Sequence, residues 1–227
     1  MNNSAVDVRL WVDPQRLTQR QFDFLQAIAL DCPSQNLIIS DLRAIREYTD
    51  ESLFQMEEDE PKWRDRQNSL IWRQVDTARL LVCLCMLEDH DRVFYADMDI
   101  TNLHINSDPI KSAVSKHGIV LSAGTIKGVK GNFMGWIENQ MFGFDERRRD
   151  FVTRLYAKTL RQATDDRVNG FIAFKHSIYF QIAQGMGGTA GEICFEPEYL
   201  GVAAYQPYPS LNGGPSYKNL ALSPHLG

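Results

Sequence analysis

An apolar helix that leads directly into a short strand constrains the fold of this 227-residue chain more than any other feature. Residues 69–88 carry apolar side chains at helical spacing, and residues 80–87 are apolar without interruption. A helix that is apolar nearly all round is buried. Residues 91–96, with the sequence DRVFYA, follow it and have the character of a strand. We therefore expect an interior strand in a sheet, with this helix packed on that sheet.

The beginning of the chain alternates strands and helices in the way that is typical of an α/β fold. Residues 6–12 and 36–40 are predicted strands, and residues 18–31 between them form a predicted helix. A short helix is expected at residues 41–48. Because the connections between these elements are short, the two strands are expected to lie parallel in one sheet.

Later segments extend the same pattern. Strands are expected at residues 118–122 and 192–195, and a helix that begins with a capping aspartate at residues 145–163. We expect a single α/β domain over residues 1–204, with a mixed, mostly parallel sheet and helices on both faces. Residues 205–227 are rich in Pro, Gly, Ser and Asn, which predicts a loop-like tail or lid.

The charge and hydropathy of the chain exclude several classes of partner. Lys and Arg number 24 and Asp and Glu number 29, which gives a net charge of −5. Such a chain has no overall electrostatic attraction to nucleic acid or to anionic lipid. The longest apolar run is too short for a transmembrane segment. The first residues also lack the basic and apolar regions of a Sec signal.

The cysteine pattern indicates a reducing compartment. None of the four cysteines belongs to a Cys-x-x-Cys pair, so neither a disulfide framework nor a thiolate zinc site is predicted. Cys83 and Cys85 lie within the apolar run and are expected to pack in the core. We therefore expect a protein that folds in the cytoplasm.

Two carboxylates follow the strand at residues 91–96. Asp97 and Asp99 stand at i and i+2 of an extended segment, so their side chains project to the same side. The end of a strand is where open α/β sheets bind ligands. Two hard oxygen ligands suit Mg²⁺ or Mn²⁺ bridging a diphosphate. A second triplet, Asp89-His90-Asp91, precedes the strand instead of ending it and is given a structural role.

The helix before this strand carries a second charged pair. Asp76 and Arg79 stand at i and i+3, so they share one helical face. Their helix comes just before the strand that delivers Asp97. Two interpretations remain open for the pair: an internal salt bridge that braces the helix, or a unit that contacts a ligand.

The string VDTARLLVCLCMLEDHDRVFYADMD resembles a known family. It is similar to the DxD-motif glycosyltransferases of the GT-A fold, such as the catalytic domains of large clostridial glucosylating toxins and the initiation-specific mannosyltransferase group. That family carries a helix with Ser-Asp-x-x-Arg, a buried helical run and a strand ending in Tyr-x-Asp-x-Asp. The segments around Trp11, RLWVD, and around Glu138, WIENQ, also resemble parts of the family.

The resemblance implies roles for individual side chains. Asp76 and Arg79 would contact the hydroxyl groups of the donor sugar, and Glu138 and Asn139 would line the sugar pocket as further catalytic positions. The resemblance implies that the nucleotide is bound by Tyr95, Trp11 and Asp97. It implies that Mn²⁺ or Mg²⁺ is bound by Asp97, Asp99 and His225. For His225 the other interpretation is a tail histidine without a ligand role.

The function implied is transfer of a hexose from a UDP- or GDP-sugar to a hydroxyl group of a protein or glycan acceptor, with retention at the anomeric carbon. Delivery as a bacterial effector without a Sec signal is a further expectation from this resemblance. Two alternatives remain. Few residues precede the first strand and no Trp follows Trp136, which favours a degenerate binding domain without turnover. Paired carboxylates would also serve another metal-dependent, nucleotide-using transferase.

Overall fold

The computed structural model describes residues 7–32, 37–57, 69–97, 108–124, 136–165 and 194–195. Its helices and strands form a mixed α/β architecture, as the sequence predicts. Contacts within the chain divide it into two compact units, Met1–Glu57 and Glu58–Gly227. The predicted boundary between residues 204 and 205 lies outside the described residues and stays a prediction.

The first unit contains the predicted β-α-β arrangement. Strand β1 (Val8–Val12) pairs in parallel with β2 (Leu37–Asp41). Helix α1 (Gln19–Leu30) lies between them in the chain, and Thr18 and Gln21 close its start with a reciprocal capping box. The short helices α2 (Arg46–Asp50) and α3 (Ser52–Gln55) follow β2. The sequence therefore identified both strands and the helix that joins them.

One buried carboxylate joins the parts of this unit. Asp13 follows β1 and accepts hydrogen bonds from the Gln15 backbone N–H, at 3.0 Å, and from the Tyr48 hydroxyl, at 3.1 Å. Its Oδ2 also lies 3.5 Å from Arg16 Nε and 3.6 Å from an Arg43 amino nitrogen. Burial, together with the negative charge of Asp13, raises the pKa of Tyr48 to about 12. The tyrosine therefore stays a proton donor to Asp13 at neutral pH.

The second unit is built on a four-stranded mixed sheet. Its strands are β3 (Arg92–Ala96), β4 (Ile119–Gly124), β5 (Trp136–Asp145) and β6 (Cys194–Phe195), in the spatial order β3-β5-β4-β6. The strand β5 runs antiparallel to both β3 and β4, whereas β6 is parallel to β4.

In the described part of the chain, this sheet differs from the prediction in two ways. The two longer ladders are antiparallel, because β5, which was not among the predicted strands, runs back between β3 and β4. The described sheet is therefore mixed but not mostly parallel. The strand β3 is also the outermost of the described strands instead of an interior one. The helix Leu70–Met86 packs against it.

The helices of this unit pack on the sheet and on one another, and one of them contains most of the apolar run. Helix α4 (Leu70–Met86), predicted at residues 69–88, packs against β3 and α6 (Arg149–Asp165). Leu80 is fully buried, and burial raises the pKa of the Cys83 thiol to about 12. The helix α5 (Asp108–His117) precedes β4 and was not predicted. The expected packing of the apolar helix on the sheet is confirmed.

Three consecutive arginines form hydrogen bonds with the C-terminal ends of two helices. Each guanidinium donates to a carbonyl group in the last turn of a helix or just beyond it, where the helix dipole favours a positive charge. The acceptors are Val114 for Arg147, His117 for Arg148 and Leu87 for Arg149. This basic triplet is therefore part of the packing of α4 and α5.

Gly143 provides a test of the β3–β5 register. It lies opposite Phe94, and a Cβ atom at this position would come within 2.4 Å of Phe94 Cδ1. We expect Gly143→Ala to lower the free energy of unfolding by about 1–3 kcal/mol, because the ring must move. Urea unfolding followed by circular dichroism measures this cost. In a Phe94→Leu background, the cost of Gly143→Ala should be smaller, because the ring that the new methyl group meets is absent. If the costs of the two substitutions simply add in the double variant, the register is contradicted.

Candidate functional site

The predicted charged residues of α4 and β3 meet in one cluster. The Asp76–Arg79 pair projects from α4, and Asp97 directly follows the last residue of β3. One terminal nitrogen of Arg79 lies 3.2 Å from Asp76 Oδ1, and the other lies 3.1 Å from Asp97 Oδ1. The side chains of Asp76 and Arg79 are 6% and 8% exposed, whereas that of Asp97 is 14% exposed. Asp97 is therefore the most exposed of these three side chains.

Tyr95 completes the cluster and holds Asp97. Its hydroxyl donates to Asp97 Oδ1 at 2.5 Å, and its ring centroid lies 5.0 Å from the guanidinium carbon of Arg79. Burial raises the pKa of Tyr95 well above its usual value; Arg79 acts in the opposite direction, and the charge and hydrogen bond of Asp97 add to the rise. The tyrosine therefore remains protonated and keeps its donor role toward Asp97.

The cluster brings two carboxylates and one guanidinium together in a largely buried place. Tyr95 and Arg79 both contact Oδ1 of Asp97. Carboxylate oxygens are the ligands that hard divalent cations prefer. Asp97 therefore has the chemistry that a metal ligand requires.

The remaining metal ligands that the sequence predicts lie outside the described residues. Asp99 and His225 belong to that part of the chain. Among the described residues, no group of three or more His, Cys, Asp or Glu side chains is arranged to hold a metal ion. The described structure therefore contributes Asp97 to the predicted metal site, and the rest of the ligand set stays a prediction.

The backbone places the predicted sugar-pocket segment at the same edge of the sheet. Ala96, the last residue of β3, pairs with Met141 of β5. Glu138 and Asn139 come shortly before Met141 in β5, so the strand at that point extends past the end of β3, on the side where Asp97 lies. The expected proximity of this segment to the cluster therefore has support from the strand register.

The cofactor-binding prediction for Trp11 concerns the other unit. Trp11 lies in β1, opposite Ser40 of β2, and is partly exposed. A nucleotide-binding role of Trp11 stays a prediction.

The structure also reveals a contact that sequence reasoning missed. Phe142 of β5 stacks on Tyr95, with 5.1 Å between the ring centroids and 24° between the ring planes. The two residues are cross-strand partners in the antiparallel ladder. Recognising β5 as a strand was the only route to this pair from the sequence, because Phe142 and Tyr95 are far apart along the chain.

No protein-family model, curated protein or solved structure matches this chain. Among the helices that the structure describes, none has the length and apolar character that crossing a membrane requires. The inference of function therefore depends on the cluster itself.

The bridging role of Arg79 can be tested by removing its charge. We expect Arg79→Met to lower the free energy of unfolding by about 3–5 kcal/mol, because it leaves two largely buried carboxylates without their common counter-charge. The double variant Arg79→Met/Asp76→Asn should be more stable than the single variant, since it removes one of those charges. Urea unfolding followed by circular dichroism measures both.

The control for this experiment is an exposed ion pair in the same chain. Arg46 and Asp50 lie 3.0 Å apart at i and i+4, with side chains 87% and 61% exposed. Arg46→Met should cost at most about 1 kcal/mol, because solvent screens such pairs. Equal costs for the Arg46 and Arg79 substitutions would refute the bridging role.

Proposed function

We propose that this chain is a metal-dependent glycosyltransferase of the GT-A, DxD-motif type, which transfers a hexose from a UDP- or GDP-sugar to an acceptor hydroxyl group. The observation that carries the proposal is the convergence of Asp76, Arg79, Tyr95 and Asp97 in one largely buried cluster. These are the residues of the motif string that resembles the family. Their convergence at the end of a strand is what a donor site of this type requires.

The cluster offers complementary groups to a sugar. In the proposed site the Asp76 carboxylate accepts hydrogen bonds from sugar hydroxyls, and the Arg79 guanidinium donates to their oxygens. Both side chains project from α4, and Arg79 also contacts Asp97 and Tyr95 at the end of β3. The sugar would therefore meet groups that are already oriented. Glu138 and Asn139 approach the same edge through β5 and are proposed to line the sugar pocket.

The metal site is proposed at Asp97 and Asp99, with His225 as a further ligand. Mn²⁺ or Mg²⁺ bound there would neutralise charge that develops on the leaving nucleoside diphosphate. Tyr95 donates a hydrogen bond to Asp97 Oδ1, and in the proposed site it would hold this carboxylate in place for the cation. The resemblance implies retention of the anomeric configuration, with the leaving diphosphate assisting deprotonation of the acceptor hydroxyl.

The proposed acceptor is a protein or a glycan, and the proposed place of action is the cytoplasm of the producing cell or of a recipient cell. The proposal of a reducing compartment rests on the cysteine pattern of the sequence, in which no Cys-x-x-Cys pair occurs.

Thermal shift separates a donor-binding protein from other classes. Each UDP- or GDP-sugar should be tested with and without Mn²⁺, and stabilisation that needs both partners supports the donor site. Release of free sugar or nucleoside diphosphate then distinguishes an enzyme from a binding domain without turnover. If no nucleotide-sugar stabilises the protein in the presence of Mn²⁺, the proposal is wrong.

Asp76→Ala tests the sugar-contact role. We expect the affinity for the nucleotide-sugar to fall about 10–100-fold, because hydrogen bonds to a charged group are lost. Affinity for the nucleoside diphosphate alone should change little, since it does not reach Asp76. Calorimetry with both ligands measures the difference, and Asp76→Asn keeps the side-chain shape as a second variant.

The brace interpretation predicts a different result for the same variants. A residue that only supports the helix would lower the melting temperature while the folded protein still bound nucleotide-sugar as tightly as the parent. That outcome would remove Asp76 from the donor site.

Asp99→Asn tests the metal site. We expect Mn²⁺ affinity, measured by calorimetry, to fall about tenfold or more, because the amide keeps the shape of the side chain but lacks the negative charge that a hard cation requires. Asp89→Asn is the matched control, because Asp89 belongs to the other Asp-x-Asp triplet and lies exposed in the turn after α4. Equal Mn²⁺ affinity of the parent and Asp99→Asn proteins would exclude a ligand role for Asp99.

A further inference from the structure

We propose that Phe142 is a positioning residue for the charged cluster: it holds the ring of Tyr95, and through Tyr95 it sets the positions of Asp97 and Arg79. The charged cluster here means Asp76, Arg79, Tyr95 and Asp97. The resemblance to a glycosyltransferase motif assigns no role to Phe142.

The contact between Phe142 and Tyr95 is close and well defined. The two residues are directly opposite in the β3–β5 ladder, and their rings stack at 5.1 Å with 24° between the planes. Phe142 is 1% exposed. Stacked aromatic pairs contribute beyond the area that they bury, and their geometry restricts where each ring can lie. The position of the Tyr95 ring therefore depends on Phe142.

Tyr95 transmits this position through two separate contacts. Its hydroxyl hydrogen-bonds Asp97 Oδ1, and its ring lies beside the guanidinium of Arg79 at cation–π distance. A displaced ring would lengthen the hydrogen bond and move the surface on which Arg79 rests. Both carboxylate contacts of Arg79 would then change. The described ring contacts of Phe142 are with Tyr95 and Phe144, so its effect on the carboxylates would be indirect.

Phe142 is itself fixed by the core. Its ring centroid lies 5.5 Å from that of Phe144, which in turn lies 6.1 Å from that of Phe151 in α6. Phe142 also pairs with Leu121 of β4, which is fully buried. An aromatic series thus connects the packing of α6 to the edge of the sheet at which Asp97 lies. Precise sites need such support from rigid elements.

The first experiment measures the positions of the side chains without any ligand. NMR signals of the Arg79 guanidinium and of the Tyr95 ring, assigned with Arg79→Lys and Tyr95→Phe, report on the contact between them. We expect Phe142→Leu to shift both sets of signals. Phe144→Leu is the matched control, because Phe144 is equally buried and lies on the same strand, but its described ring contacts are with Phe142 and Phe151. Its effect on Tyr95 would pass through Phe142, so we expect smaller shifts than for Phe142→Leu.

The control separates positioning from general destabilisation. Both leucine variants should lose stability, since each removes a buried aromatic ring. If the Arg79 and Tyr95 signals shift no more in Phe142→Leu than in Phe144→Leu, the proposal is overturned. If Phe142→Leu does not fold, Phe142→Met serves instead, because its flexible side chain fills the space without an aromatic face.

The second experiment measures a consequence that rests on the proposed function. Calorimetry with Mn²⁺ and UDP, and with Mn²⁺ and GDP, should show an affinity about tenfold lower for Phe142→Leu than for Phe144→Leu, at the low end of losses for residues that support ligands. In a Tyr95→Phe background, the same substitution should have a smaller effect, because the hydrogen bond to Asp97 is absent and only the ring contact with Arg79 remains.

The outcomes of the two experiments are distinguishable. If the parent protein binds neither Mn²⁺ with UDP nor Mn²⁺ with GDP, the proposed function fails, while the NMR shifts still decide the role of Phe142. If the parent binds and Phe142→Leu binds as tightly as Phe144→Leu, Phe142 has no positioning role toward the ligand. Full additivity with Tyr95→Phe would likewise overturn the route through Tyr95.

Discussion

The Arg79 guanidinium joins helix α4 to the end of strand β3. It contacts Asp76 on its own helix and Asp97 at the end of β3, using a different terminal nitrogen for each. The planar, forked guanidinium makes this possible, whereas the single ammonium group of lysine offers no such fixed geometry. Burying these charges costs free energy, which their mutual contacts help to offset. The orientation of α4 on β3 is therefore coupled to the charges of the site.

Each unit of the chain contains a buried ionic group with a tyrosine donor. In the first unit Asp13 contacts Arg16 and Arg43 and accepts a hydrogen bond from Tyr48. In the second unit Arg79 contacts two carboxylates, one of which accepts a hydrogen bond from Tyr95. The arginine side chains of the first group are 37% and 29% exposed, so water screens its charges. The arginine of the second group is 8% exposed, so its ion pairs are screened far less.

Sequence reasoning located elements better than it located partners. The apolar run predicted α4, and the alternation at the start predicted β1, α1 and β2, because the periodicity of a chain reflects which faces it buries. It missed β5, whose sequence WIENQMFGFD has neither clean alternation nor β-branched enrichment and contains a glycine. A helical spacing also placed Asp76 beside Arg79. The strand register and the stacked pair across it depend on contacts between distant segments, which periodicity does not encode.

The position of β3 shows how this limit affected the fold prediction. Its apolar side chains indicated burial correctly but did not specify whether a strand or a helix provides the cover. In the described structure a helix packs against this strand, and β3 is outermost in its sheet. Asp97 follows directly after this strand, with its side chain 14% exposed. The limit of the fold prediction therefore falls on the same strand that carries the site.

The chemistry of Asp97 bears on whether the cluster is only a brace. Tyr95 and Arg79 both donate to one oxygen of this side chain, Oδ1. The neutral amide of asparagine also offers an oxygen that accepts two hydrogen bonds. A negative carboxylate costs more desolvation free energy in the same place. Sites that depart from the most stable choice in this way are typically functional. The ligand role toward a cation that the DxD motif implies for Asp97 would give this carboxylate a reason beyond bracing, and that role is the proposal that the Asp99→Asn and Asp76→Ala variants test.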